Sequence, residues 1–173
     1  MPDQQAVVTL HSRVNDRRRL WKAAIKWPMD SVAVMPLLLA VGWRLGAGLT
    51  VRWGQALVFL LAAVLLLIWE NLSNDLFDAE TGIDDLGKPH SVVALVGRTR
   101  PVRRLAMLSL VVGLLLILSL SLVSSMAVLV LVLASCGLGY LYQGPPFRLG
   151  YLGLGEPLCW LAFGSLATAA GYW

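Results

Sequence analysis

The sequence predicts an all-α fold, a bundle of helices that crosses a membrane several times. Three observations carry that expectation. The 173 residues are 58% hydrophobic and 14% charged, with a mean hydropathy of +0.73, against about 45–50% and about 25% in ordinary soluble domains. The apolar residues gather into runs, and from Leu105 to Phe147 forty-three positions pass without a charge. The bases lie between those runs. The formal net charge of +4 is therefore a matter of topology, not the footprint of a nucleic-acid-binding domain.

A bilayer core about 30 Å thick needs roughly 20 apolar residues per helix, and five stretches qualify. The first, Trp27 to Leu49, is the weakest, with Asp30, Pro28, Pro36 and Arg44 within it. The second runs from Trp53 to Asn74. The charge-free stretch is too long for one helix and divides at the serine-rich Ser119 to Ser125, giving a third span over Leu105 to Leu120 and a fourth over Val123 to Tyr142. The fifth covers Tyr151 to Trp173. Residues 1–26 form a polar, basic segment with no cleavable signal pattern after it, and 27–173 form the membrane domain.

Orientation follows from lysine and arginine. The N-terminal segment, the loop after the second span and the loop after the fourth hold twelve of the fourteen bases, leaving Arg44 and Arg52 for the other side. This places the N-terminus, the acidic loop and Arg148 in the cytoplasm. Trp43 and Trp53 would flank the outer turn, and Trp21, Trp27 and Trp69 the inner boundary. Gly42 and Gly46 form a GxxxG pattern that marks close helix packing. Cys136 and Cys159 lie in apolar runs and read as buried free thiols. His90 and Glu156 carry no site signal.

The chemistry-bearing segment is Glu70–Glu80, ENLSNDLFDAE. Six carboxylates fall between Glu70 and Asp85 with no base among them. If the second span continues as a helix through Asp78, then Asn71, Asn74, Asp75 and Asp78 share an arc of roughly 100°, while Leu72, Leu76 and Phe77 point away. A solvated helix end accounts for Glu80, Asp84 and Asp85. It accounts poorly for Asn71 and Asp75, so close to an apolar run. Zinc would call for Cys and His, and the glycine of an EF-hand loop falls out of register. An Asp pair with asparagines beside it suits Mg2+ held against a diphosphate, with Lys88, Arg98, Arg100 and Arg148 on the same membrane side to meet phosphate oxygens.

NLSNDLFD resembles the first aspartate-rich motif of the UbiA superfamily of intramembrane prenyltransferases. The longer ENLSNDLFDAETGIDDLGKPHSVVALVG, with SVAVMPLLLA and GYLYQGPPFRLGYLGLGEP, is similar to the 1,4-dihydroxy-2-naphthoate prenyltransferases, in the branch that uses a phytyl group. The resemblance covers the chain from Trp21 onward. It implies that Asn71, Asp75 and Asp78 hold Mg2+ against the diphosphate of a prenyl diphosphate, with Asn74 assisting. It further implies that Lys88, Tyr142 and Arg148 contact the substrate. The superfamily's further acid falls at Ala79, leaving Asp78 in that role. The reaction it implies joins a prenyl group, phytyl in this branch, to 1,4-dihydroxy-2-naphthoate with loss of carbon dioxide, in phylloquinone or menaquinone synthesis at a plasma or thylakoid membrane. The family fold has nine transmembrane helices and a second aspartate-rich motif after the sixth. Five spans and one motif are present here, so the expectation is a fragment or degenerate copy that is inactive by itself. The rival readings are a truncated non-catalytic membrane protein and a transporter-like subunit. Transport sites usually lie near the midplane, whereas these acids lie at one face.

Overall fold

The computed structural model describes residues 19–20, 27–82 and 91–173, with 27–30 described by their backbone alone. The elements in order are α1 (Trp27–Gly46), α2 (Trp53–Thr81), α3 (Val92–Val96), α4 (Thr99–Val123), α5 (Met126–Gln143), a 3-10 turn (Leu149–Leu152), α6 (Gly155–Cys159), a π-helical segment (Trp160–Ala167) and α7 (Thr168–Tyr172). No strand occurs among the described residues. The chain is a multi-pass helical membrane bundle, and α2, α4 and α5 are each long and apolar enough to cross a bilayer.

Helix α2 runs past the predicted end of its span, through the whole acidic motif, and stops at Gly82, whose φ of 71° only glycine adopts freely. Helix α4 likewise begins six residues before its apolar run, at Thr99. The two antiparallel helices form the most extensive contact in the molecule. Phe59, Ala62, Leu66, Trp69, Ser73 and Leu76 make the α2 stripe, and Val102, Ala106, Ser109, Gly113, Ile117 and Leu120 the α4 stripe. Spacings of three and four keep each stripe on one face. Small residues bring the backbones close, as membrane helices require. A Cβ on Gly113 would lie 3.0 Å from the Leu66 side chain and 3.4 Å from the Ala62 carbonyl. The opposite faces expose Leu57, Leu61, Val64 and Ile68, and Leu105, Leu108, Leu115 and Leu122, as lipid-facing surfaces do.

The break between α4 and α5 falls within the predicted serine-rich stretch. Ser124 leaves the helix, and Ser125 caps α5 by accepting a hydrogen bond from the Ala127 amide at 3.2 Å. The stretch expected as a fifth span is less regular than the sequence suggests. A 3-10 turn and a short loop precede it, and eight π-helical residues interrupt it, with Ser135 Oγ donating to the Ala162 carbonyl at 2.8 Å. At the end of α1, Arg44 donates to the carbonyls of Thr50 and Tyr172 and stacks over the Tyr172 ring. A guanidinium at a helix C-terminus satisfies carbonyls that lack helical partners.

Four expectations change. Trp69 is 8% exposed and belongs to a core cluster with Leu72, Leu76, Val93, Val102 and Ala106, so it is no interfacial belt residue. Gly42 and Gly46 have nothing packed on them among the described residues. Cys136 and Cys159 are free thiols, yet Cys136 is half-buried and Cys159 exposed. The first span ends at Gly46 rather than Leu49. Trp21, the Trp27 side chain, Asp84, Asp85 and His90 lie outside the described residues.

Gly113→Leu should therefore separate α2 from α4 and destabilise the fold by about 1–3 kcal/mol. A lowered thermal unfolding midpoint in detergent would show it. An unchanged midpoint would mean that the seam is not tightly packed.

Candidate functional site

Because α2 stays helical through Thr81, Asp75 and Asp78 face two other elements rather than water. Asp75 is 3% exposed and Asp78 2%. Asp75 Oδ2 accepts a hydrogen bond from the Val92 amide at 2.8 Å. That amide opens α3, whose N-cap Ser91 accepts from the Ala94 amide. A carboxylate suits such a position, where amides point outward without helical partners. Asp78 Oδ1 accepts from the Tyr151 hydroxyl at 2.5 Å, and the Asp78 carbonyl accepts from Thr81 Oγ1. Asn71 and Asn74 are half-buried on the same helix.

The segment after α5 brings in the second half of the site. Tyr140 lies edge to face with Phe77 at 6.2 Å and donates to the Pro145 carbonyl. The chain then turns at Arg148, a non-glycine residue with φ 45° and ψ 46°, into the 3-10 turn that carries Tyr151. The Arg148 guanidinium lies over the Tyr151 ring, 5.9 Å from its centroid. A chain of contacts thus runs from Arg148 through Tyr151 to Asp78. The Tyr142 ring packs against the backbone of Gly150 and Gly155, where added Cβ atoms would approach it to 2.7 Å and 3.2 Å. Tyr142 thereby holds the loop that presents Arg148. At the exposed rim, Arg103 pairs with Glu80 at 3.1 Å, which puts the start of α4 beside the end of α2.

Of the residues singled out in the sequence, Asn71, Asn74, Asp75 and Asp78 share one helix, Tyr142 stands in the last turn of α5, and Arg148 lies in the loop that follows. Lys88 lies outside the described residues. Sequence reasoning misses Tyr151, although it stands in RLGYLG, three residues after Arg148. Only the fold shows that this spacing places its hydroxyl on Asp78. The donor set is two carboxylates and two amides, all hard oxygen donors. No cluster of three or more His, Cys, Asp or Glu occurs among the described residues. A pair of carboxylates fits Mg2+ shared with phosphate oxygens better than an all-protein cage.

Comparison with known proteins bears on this geometry. Residues 33–173 match the UbiA prenyltransferase family. The chain is 49% identical over 159 residues to a 2-carboxy-1,4-naphthoquinone phytyltransferase of Synechocystis sp., covering 90% of this chain and 51% of the relative. It is 46% identical over 155 residues to a chloroplastic protein of the same description from Arabidopsis thaliana, covering 88% and 40%. It is 38% identical over 119 residues to a 1,4-dihydroxy-2-naphthoate octaprenyltransferase of Mycobacterium tuberculosis, covering 67% and 40%. The chain spans about half the length of these relatives or less. No solved structure matches it. With most of its length matched and its aspartate-bearing helix inside the match, the chain belongs to the UbiA prenyltransferase family.

Proposed function

We propose that this protein takes part in intramembrane transfer of a prenyl group, phytyl by its likeness to the first two relatives, from the prenyl diphosphate to 1,4-dihydroxy-2-naphthoate, with loss of carbon dioxide, in phylloquinone or menaquinone synthesis. The observation that carries the reading is the pair Asp75 and Asp78. Both are buried at the end of a membrane helix and fixed by donors from two separate segments. Mg2+ held there would offset the diphosphate's charge and make it a better leaving group. Asp75 and Asp78 are its ligands, with Asn71 and Asn74 at the same face. Arg148 and Lys88 meet the phosphate oxygens, and Tyr142 fixes the loop that carries Arg148. The prenyl chain lies in the apolar interior, where water cannot capture the cation-like carbon. The ring carbon of the naphthoate bonds to that carbon as its C–O bond to the diphosphate breaks.

In this reading, residues 1–26 are a basic cytoplasmic segment and 27–173 the transmembrane domain. The site faces the cytoplasm because it shares a membrane side with Arg98, Arg100, Arg103, Arg104 and Arg148. The membrane is the plasma or thylakoid membrane.

Asp75→Asn should abolish prenylation in membranes that express the protein from its native gene, with insertion near normal. Glu80→Gln should leave turnover within about twofold, because an exposed ion pair is worth about 0–1 kcal/mol. Equal losses per inserted protein would remove Asp75 from the metal site.

For orientation, single cysteines replace Thr99 and Thr50 in a background where Cys136 and Cys159 are changed to serine. Impermeant maleimide should label the first from the cytoplasmic side only and the second from the opposite side only. Labelling of both from one face would overturn the topology.

A further inference from the structure

Arg98, Arg100, Arg103 and Arg104 stand together at the start of α4, and all four are exposed. Arg103 turns toward α2 and pairs with Glu80 at 3.1 Å. Arg98, Arg100 and Arg104 have no hydrogen-bond or ion-pair partner among the described residues. The proposed mechanism leaves these three unused.

Helical geometry fixes where two of them point. At about 100° per residue, Arg100 and Arg104 fall within one arc of roughly 100° with Met107, Leu108, Val111 and Leu115. Those four apolar residues belong to the exposed, lipid-facing stripe of α4. The buried stripe that packs on α2 is centred on the opposite side of the helix. Arg100 and Arg104 therefore point away from Asp75 and Asp78, so a diphosphate held at those aspartates is not what they meet. Arginines at i and i+4 also repel each other, and an anion between them removes the repulsion. A guanidinium is a planar fork that matches phosphate oxygens two at a time.

Depth narrows the choice of anion. Helix α4 is apolar from Leu105 onward, so the guanidinium groups stand where hydrocarbon gives way to headgroups. Half of a bilayer core about 30 Å thick corresponds to about ten residues of helix, close to the run from Arg104 to Leu115. One leaflet's depth of apolar contact thus lies directly below a pair of cations. A soluble phosphate would use the arginines and leave the stripe. A zwitterionic lipid would use the stripe but bring a cation of its own to the arginines. A lipid with a net negative headgroup satisfies both.

We infer that Arg100 and Arg104, with Arg98 beside them at the N-cap, form a docking site for an anionic phospholipid. Its phosphodiester bridges the guanidinium groups, and one acyl chain lies along Met107, Val111 and Leu115. Such a site needs only that α4 spans a membrane, and it stands or falls apart from the prenyl-transfer reading. Occupied, it pins the depth of α4, and the α2–α4 seam then holds the aspartate motif at a fixed height relative to the membrane surface. Each base beside an anionic headgroup is worth about fivefold in affinity.

The protein expressed from its native gene, in a neutral detergent, is titrated with phosphatidylglycerol and with phosphatidylcholine, and bound lipids are counted by native mass spectrometry. The wild type should bind one phosphatidylglycerol in clear preference to phosphatidylcholine. Arg100→Gln and Arg104→Gln should each weaken it by about fivefold and together by about 25-fold, whereas Arg103→Gln, which removes the same charge from another face, should stay within about twofold. Equal binding of the two lipids by the wild type would overturn the site. So would equal losses from all three single changes, the mark of a diffuse positive surface. Displacement of the phosphatidylglycerol by inorganic diphosphate at comparable concentration would reveal a soluble-phosphate site instead, and would also overturn it. Thermal unfolding separates a role inside the protein. Arg104→Gln should leave the midpoint unchanged in lipid-free detergent and lower it only when phosphatidylglycerol is present. A lower midpoint without lipid would mean that the arginine serves a contact within the chain, which would contradict the assignment.

Discussion

Two carboxylates buried at the end of a membrane helix cannot be left to water, and the rest of this structure is arranged around that fact. Helix α2 carries Asp75 and Asp78 out of its apolar run without a break. Each acid then draws in a different segment. Asp75 takes the first amide of α3, and Asp78 takes the Tyr151 hydroxyl. The loops on either side of α4 and α5 are thereby tied to one helix face. In lipid, an uncompensated acid costs several kcal/mol, and these contacts are part of what allows the motif to be buried. The arrangement has a functional corollary. Under the proposed function, a site fixed by the protein's own donors would be shaped before a metal and a diphosphate arrive, so little reorganisation would accompany the departure of the leaving group.

Packing supports this arrangement from below. The α2–α4 seam is built of alanine, glycine and serine at its closest points, with Phe59, Leu66 and Ile117 filling the gaps. Lipid tails are as apolar as leucine, so close backbone approach, rather than hydrophobic exclusion, holds such helices together. Trp69 shows the consequence. It stands at the depth where an interfacial tryptophan would be expected, yet it is buried between α2 and α4, bracing the helix turn just before the polar motif.

Much of this is legible in the sequence. The apolar runs mark the helices, and the helical period alone places Asn71, Asn74, Asp75 and Asp78 on one face. Local pattern does not reveal where that face points. Tyr151 reaches Asp78 across 73 residues of chain, and nothing in the spacing of either segment encodes the meeting. The π-helical interruption is equally hidden, because WLAFGSLA has the composition of any membrane helix. Glu70 is visible as a charge, but its position in the chain groups it with the acidic cluster. Its separation from the others lies in the third dimension, where Gly139 leaves room for it. The GxxxG pattern fails in the opposite sense, since a motif for close packing has no neighbour here among the described residues.

The central claim is that the α2 aspartates hold a metal together with a diphosphate. Pulsed electron paramagnetic resonance tests it most directly, on the protein in lipid nanodiscs with Mn2+ in place of Mg2+ and a non-hydrolysable prenyl diphosphate analogue added. A bound Mn2+ signal with phosphorus hyperfine coupling, present in the wild type and lost in Asp78→Ala, is the expected result. Phosphorus-coupled Mn2+ that persists in Asp78→Ala, or a metal signal in the wild type without phosphorus coupling, would contradict the account.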